Sequence, residues 1–291
     1  MDRNPVERIG TLYIVATPIG NLEDMSYRAV RTLREVDVIA AEDTRHTRIL
    51  LAHYEIGTPM CAHHAHNEQE HTPQLIARMC AGQDVALVSD AGTPLVSDPG
   101  SGLIAEAIRY GIAVVPIPGP VAAVAAWIAS GIHSQACTMH GFLPRTQKKA
   151  RAYVRQYAHD RASAVFYEAP HRLVQTIALL ISEWGGGRRA VVAREMTKRH
   201  EQFIRGTLDS CMEWAQCAPV RGECALVVEG MCEDDCDAWW EALSINEHVA
   251  VYERAGHTHK EAMRLVAVDR KQRRRDVYAH MHAPSAHPPQ G

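Results

Sequence analysis

The sequence predicts an α/β protein: two successive α/β segments followed by a small helical module. Three observations carry that expectation. Short apolar runs rich in Val, Ile and Ala alternate with amphipathic stretches of helical length as far as residue 230. Gly, Pro, Asp and Ser gather directly after the apolar runs, as turn chemistry does. From Ile245 onward the apolar runs stop, and three helix-length pieces rich in Lys and Arg replace them.

In the first segment TLYIVAT (Thr11 to Thr17), VDVIAAE (Val36 to Glu42), DVALVSD (Asp84 to Asp90) and IAVVPIP (Ile112 to Pro118) predict buried strands. Tyr27 to Val36, Thr47 to Tyr54 and Pro73 to Gly82 predict the helices between them. Strands and helices alternating at these lengths predict a largely parallel sheet covered on both faces. A second set begins after Pro118-Gly119-Pro120 and the small-residue helix VAAVAAWIASG. Its strands are CTMHGF, SAVFYE (Ser163 to Glu168), RAVVARE (Arg189 to Glu195) and CALVVEG (Cys224 to Gly230). Its clearest helices are HRLVQTIALLISEW and LDSCMEWAQ. The expected organisation is an α/β domain over 1–118, a second over 119–230, an acidic linker over 231–244, a helical module over 245–282 and a disordered tail over 283–291. In the module Gly256 is read as a C-cap and Thr258 as an N-cap, so the first two helices resemble a helix-turn-helix.

Apolar residues make up 46% of the 291 and charged ones 22%, the balance of a globular protein with room for two cores. No apolar run approaches the roughly 20 residues that cross a bilayer. The N-terminal MDRNPVERIG lacks the apolar segment of a secretory signal, so the expected location is cytoplasmic and the eight cysteines are expected as free thiols. The net charge of -3 is unevenly spread. Eight Lys/Arg against two acids between Arg254 and Arg275 give a local balance of +6, and the rest of the chain carries -9. Met231 to Glu241 adds five acids and no base. A basic module behind an acidic linker points to a partner with a phosphate backbone.

The stretch SDAGTPLVSDPG (Ser89 to Gly100) follows the apolar run Val85 to Val88 and precedes a helical pattern. In open α/β sheets ligands bind beyond the carboxyl ends of strands, so a long loop there reads as a binding loop. TPIGNL (Thr17 to Leu22) and PIPGP (Pro116 to Pro120) occupy equivalent places. None is GxGxxG, and no GxxxxGK[ST] occurs, which weighs against NAD, FAD and ATP. Rigid proline loops without a phosphate cradle suit a nucleoside-type cofactor.

With GTLYIVATPIGNLED, AEDTRHTRILL, SDAGTPLVSDPG, PIPGP, GFLP, FYEAPHRL, REMTKRHEQFIRGTL and ALVVEG in order from Gly10 to Gly230, the chain resembles the tetrapyrrole methylase superfamily of S-adenosylmethionine-dependent enzymes. Within it, the likeness is to the members that methylate 16S ribosomal RNA on a ribose 2'-hydroxyl. The resemblance implies two α/β/α methylase domains with a cofactor cleft between them, plus the C-terminal helical module. It implies S-adenosylmethionine as cofactor, held by Pro18, Ile19, Gly20, Asp90, Ala91, Gly92, Thr93, Pro94, Pro118, Val121 and Ala122. From the second domain Tyr167, Glu168, Met196, Ala225 and Leu226 would join them. It further implies a homodimer, and a cytidine of the decoding region in the small ribosomal subunit as acceptor. The chain departs from the family pattern at Val121, where Ser is usual, at Cys137 and Met139, where Phe is usual, and at Cys224, where a bulkier apolar residue is usual.

Methyl transfer to a hydroxyl needs oxygen, carbon and sulfur in line and a route for the hydroxyl proton; it requires no metal. Asp43 or Glu195 is the expected proton acceptor, and Lys198 is expected to orient RNA, or to act as base if its pKa were lowered. Arg45 and Arg172 are candidate phosphate contacts, with Arg254, Lys260, Arg264, Arg270, Lys271, Arg273, Arg274 and Arg275 on the basic module. The alternative for the cleft charges is a salt-bridge lattice across the domain interface. His63, His64, His66 and His71 lack zinc-hydrolase spacing and read as solvated. Cys232 and Cys236 have no second pair for a zinc knuckle, and Trp239-Trp240 read as packing. Two other classes stay open: a methylase of macrocycles or of a modified protein histidine, and an RNA-binding module with a degenerate cleft.

Overall fold

The computed structural model describes residues 8–65, 67–95, 100–132, 134–231, 240, 243–270 and 272–281. Its first half is a five-stranded parallel sheet. The strands are β1 (Thr11–Val15), β2 (Val38–Ala41), β3 (Met60–Ala62), β4 (Val85–Val88) and β5 (Ala113–Ile117), in the order β3-β2-β4-β1-β5. Helices α1 (Tyr27–Glu35) and α2 (Thr44–His53) cover one face, and α3 (Glu68–Cys80) and α4 (Ser101–Arg109) the other. The alternation inside β4 shows how this works: Ala86 and Val88 join the core under α1 and α2, while Val85 and Leu87 join the one under α3 and α4. A strand buried on both faces has no polar side to display, which is why β2 and β4 read as unbroken apolar runs. Pro116 sits in β5, at the sheet edge, where its missing N–H costs no ladder bond to a further strand.

The second half holds β6 (Cys137–Phe142), β7 (Ser163–Glu168), β8 (Arg189–Arg194), β9 (Gln202–Thr207) and β10 (Cys224–Val228), in the order β6-β7-β10-β8-β9. This sheet is mixed: β10 enters between β7 and β8 antiparallel to both, and β9 is antiparallel to β8. Helix α5 (Ala122–Ser130) packs Ala123 and Ala126 on one face, against Val165, Val191, Ala225 and Val227. On the other face α6 (Gln147–Gln156), α7 (Leu173–Trp184) and α8 (Leu208–Cys217) bury Val154, Leu173, Ile177, Leu180 and Leu208 against Phe166 and Leu226. Both halves are thus α/β/α layers.

Two strands, helix α6 and two helix starts differ from the sequence reading: α6 was not among the expected helices, and α2 begins at Thr44, not Thr47. Strand β3 is only three residues long, and β9 is a half-exposed edge strand carrying Gln202 and Arg205, so neither shows an apolar run. Helix α3 begins at Glu68, not at Pro73. Pro73 lies inside it, and the carbonyl that loses its partner belongs to exposed Gln69.

The C-terminal module is α9 (Ile245–Arg254), α10 (His259–Asp269) and α11 (Arg274–Met281) around Val249, Met263, Val266 and Val277. Ser244 with Glu247, and Thr258 with Glu261, form reciprocal caps at the starts of α9 and α10. Gly256 follows the Ala255 cap with φ +96°, a conformation that favours glycine. No described helix is long and apolar enough to cross a membrane. The six described cysteines are free. Most of the acidic linker, Lys271 and the 283–291 tail lie outside the described residues.

Candidate functional site

The carboxyl ends of β1, β4 and β5 carry the three proline and glycine loops, and they are tied to one another. Thr17 and Gly92 exchange backbone hydrogen bonds at 2.9 and 3.1 Å. The Thr17 hydroxyl donates to the Ser89 carbonyl at 3.1 Å, and Thr93 donates to the Pro120 carbonyl at 3.0 Å. Gly92 has φ +84°, and a Cβ there would lie 3.2 Å from Ile19 Cγ2. Gly20 has φ +148°, and a Cβ would come within 2.6 Å of the Lys198 stem from the second half. The first half therefore offers a stiff rim of backbone against which the second half closes.

Between that rim and the mixed sheet lies a cavity of about 430 Å³. Ile19, Ala91, Gly92, Thr93, Val121 and Ala122 line it from one side. Phe142, Tyr167, Glu168, Met196 and Ala225 line it from the other. The Tyr167 hydroxyl accepts the Ala123 N–H at 3.0 Å, fixing the start of α5 beside the ring. The Phe142 and Tyr167 rings lie 5.7 Å apart. A second cavity of about 300 Å³ adjoins it and shares Ile19, Ala91 and Glu223; Pro18, Gly20, His46, Asp90 and Lys198 are among the residues that line the remainder.

Of the sixteen cofactor positions expected from sequence, thirteen line one or both cavities. The exceptions have simple causes. Leu226 points to the opposite face of β10 from Ala225 and is buried under α6–α8. Pro94 is buried beneath its loop, and Pro118 faces solvent. Phe142, Ala169, Pro170, Glu223 and Cys224 were not among the expected positions, although the first three stand inside GFLP and FYEAPHRL. Glu168 reaches the wall but spends its carboxylate internally: it accepts from Ala169 N at 2.9 Å and from the Thr176 hydroxyl at 2.5 Å.

The expected catalytic residues are all engaged. Asp43 caps α2 and forms an ion pair with Arg45 at 2.6 Å. The Arg45 hydrogen bonds hold its carboxyl far below the usual carboxylate range, so it is a weak proton acceptor. Glu195, at φ +51°, accepts from Lys198 Nζ at 3.0 Å and from Glu223 N at 3.0 Å. The Lys198 hydrogen bond, the largest influence, leaves its pKa lowered. Lys198 also reaches Glu223 at 2.8 Å. Burial alone would push the ammonium down, but the hydrogen bonds to Glu223 and Glu195 outweigh it and the pKa is raised. Lys198 is thus no neutral base; the charges on this side of the cleft pair within the second half, not across the domain interface as the alternative reading had it.

Two expected RNA contacts are internal. Arg172 lies half-buried at the start of α7, 3.5 Å from Glu168. Arg270 braces the module, donating to His248 Nδ1 and the Trp240 carbonyl, both at 3.2 Å, with its guanidinium 5.1 Å from the Trp240 ring. Arg45, Arg254, Lys260, Arg264, Arg273, Arg274 and Arg275 are exposed. The histidine run also departs from expectation. His63 is buried, with neither ring nitrogen hydrogen-bonded, and burial pushes its pKa down. His64 and His71 are half-buried, and His66 lies outside the described residues. Among the described residues Asp43, His46 and Asp90 bring one potential metal-ligand atom each within 4.8 Å of one another, but Arg45 already occupies the Asp43 carboxylate.

The family model for Tetrapyrrole (Corrin/Porphyrin) Methylases matches residues 11–211. The chain is 48% identical to the Ribosomal RNA small subunit methyltransferase I of Halalkalibacterium halodurans, over 92% of this chain and 93% of that one. It is 45% identical to the protein of that name from Bacillus subtilis, over 97% of each. Uroporphyrin-III C-methyltransferase from Thermus thermophilus, solved with S-adenosylhomocysteine, shares the fold with a TM-score of 0.55 at 18% identity, over 76% of this chain and 97% of that one. The two α/β/α layers, the cavity between them and these likenesses agree: the chain belongs to the tetrapyrrole methylase family.

Proposed function

We propose that the chain is an S-adenosylmethionine-dependent methyltransferase that acts on the ribose 2'-hydroxyl of a cytidine in 16S ribosomal RNA. The observation that carries this reading is the likeness to small-subunit rRNA methyltransferases across more than nine-tenths of the chain, cavity-lining segments included. The 430 Å³ cavity fits the donor chemically. Its described lining includes no phosphate cradle and is largely apolar, and the aromatic side chains of Tyr167 and Phe142 suit a sulfonium cation. When bound, the donor supplies an electrophilic methyl group. Ile19, Gly92, Thr93 and Ala122 would hold it from the first rim, and Tyr167, Met196 and Ala225 from the second. Val121, in place of the usual Ser, contributes shape without a hydroxyl.

The exposed cations of the C-terminal module, with exposed Arg45 in the first turn of α2, would bind the RNA phosphates. The chain would work in the cytoplasm, where ribosomes are assembled. It would act as a homodimer, consistent with the exposed apolar pair Val124 and Ile128 one turn apart on α5. The test is incubation with methyl-labelled donor and either unmodified small subunits or naked 16S RNA. Label on a cytidine 2'-oxygen is expected; label on a base, or on a macrocycle in preference to RNA, contradicts the reading.

A further inference from the structure

The Asp43–Arg45 pair and the Glu195–Lys198–Glu223 cluster leave the expected bases committed, so the hydroxyl proton needs another acceptor. We propose that the 300 Å³ cavity receives the acceptor ribose, and that His46, oriented by Asp90, takes the 2'-hydroxyl proton there. This rests on the functional reading above and names the residue that serves it.

His46 stands in the first turn of α2 and lines the second cavity, which shares the Ile19–Ala91 wall with the first. Its Nδ1 lies 3.4 Å from Asp90 Oδ2. The other oxygen of Asp90 accepts the Asp43 backbone N–H at 3.0 Å, so the carboxylate is anchored to the same helix start. A carboxylate facing Nδ1 favours the tautomer with its proton on that nitrogen and the lone pair on Nε2. Nε2 has no partner among the described residues. The Nδ1 distance is long for a hydrogen bond, as such contacts often are before substrate binds.

The charged groups around the ring leave Asp90 dominant. Asp43 and Arg45, on the same helix start, neutralise each other at 2.6 Å. Lys198, across the cavity, is held by Glu195 and Glu223. Among the described residues no Lys or Arg forms an ion pair with Asp90, although the Arg45 charge is felt there, and Asp90 is placed to stabilise an imidazolium. In the step, a ribose oxygen lone pair forms the bond to the methyl carbon. The carbon–sulfur bond breaks and its electron pair stays on sulfur, giving a neutral thioether. The hydroxyl proton passes to Nε2, and the imidazolium later releases it to water.

His46→Ala and His46→Gln test this in the full chain, and exposure of His46 makes misfolding a small concern. Donor affinity by calorimetry and RNA affinity are expected within about two-fold of wild type, while the single-turnover rate falls about 100-fold or more, the range of general-base catalysis. Added imidazole should partly rescue His46→Ala. Ring nitrogen shifts should report the Nδ1–H tautomer of His46 in wild type and a mixture in Asp90→Asn. Wild-type rates in both His46 variants overturn the proposal, as do identical tautomers in Asp90→Asn. A wild-type chain that transfers no methyl group to RNA contradicts the functional reading instead, and the tautomer measurement then judges the His46–Asp90 pair separately.

Discussion

The two rims of the cleft differ in what they are made of. The first is backbone: Thr17, Gly20, Gly92 and Pro120 meet through carbonyls, N–H groups and absent side chains. The second is side chains: Phe142, Tyr167, Met196 and the Glu195–Lys198–Glu223 lattice. Sheet topology explains the difference. In the parallel sheet β1, β4 and β5 all end at the same edge and leave through turns, where glycine and proline serve. In the mixed sheet β10 starts where β7 and β8 end, so Cys224 faces both Glu168 and Arg194 in register. Charged residues from neighbouring strand ends must then coexist, and they do so by pairing. A stiff rim can fix a ligand's position, whereas a side-chain rim can adjust to it.

That contrast can be broken most severely at the backbone rim. Gly20→Ala places a Cβ against a lysine stem held at its far end by two carboxylates, at a φ that side chains avoid. Strain of about 1–3 kcal/mol is expected. If the closed rim is needed for binding, donor affinity should fall by about 10- to 100-fold, read by calorimetry. Unchanged affinity would mean the rim is softer than described. Next in size, removal of residues 245–291 should weaken RNA binding at least about 10-fold while donor binding survives. Replacing Arg273, Arg274 and Arg275 together by Ala should flatten the plot of log affinity against log salt by up to about 0.9 for each phosphate they neutralise. A slope that does not move would take these residues out of the RNA interface.

The side-chain rim should tolerate more. Lys198→Met removes a partly exposed pair, so stability should fall by no more than about 1 kcal/mol. Its effect on acid denaturation has a definite sign. Glu195 has a folded pKa below its unfolded one, so its stabilisation is present at neutral pH and lost as pH falls through the folded value. Melting temperature in Lys198→Met should therefore depend less on pH below about 4.5 than in wild type. An identical acid profile would show that the lattice does not couple to folding.

Legibility followed the same division. Strands β2, β4 and β10 were readable because double-sided burial writes an unbroken apolar run. Strand β9 was not, because an edge strand carries Gln202 and Arg205 and only half-buries its apolar residues. The backbone rim was visible as glycine and proline clusters, which have few other uses. The pairing of Asp43 with Arg45, and of Lys198 with two glutamates, was not, since sequence gives charge but not the partner that consumes it. Arg172 and Arg270 show the same limit: both are cations by composition and braces by position. Glu223 and His46 were missed for the converse reason. Each is one polar residue in a loop or first helical turn, and only the folded cleft shows what it faces.

The central claim is that the cavity between the two rims holds the methyl donor. Ala91 lines both cavities and is exposed, so Ala91→Phe should fill the space without disturbing the core. Calorimetric titration with S-adenosylmethionine should show saturable binding to the wild-type chain at one site per chain, and none to the filled variant. Equal binding by both proteins, or none by the wild type, would contradict the account.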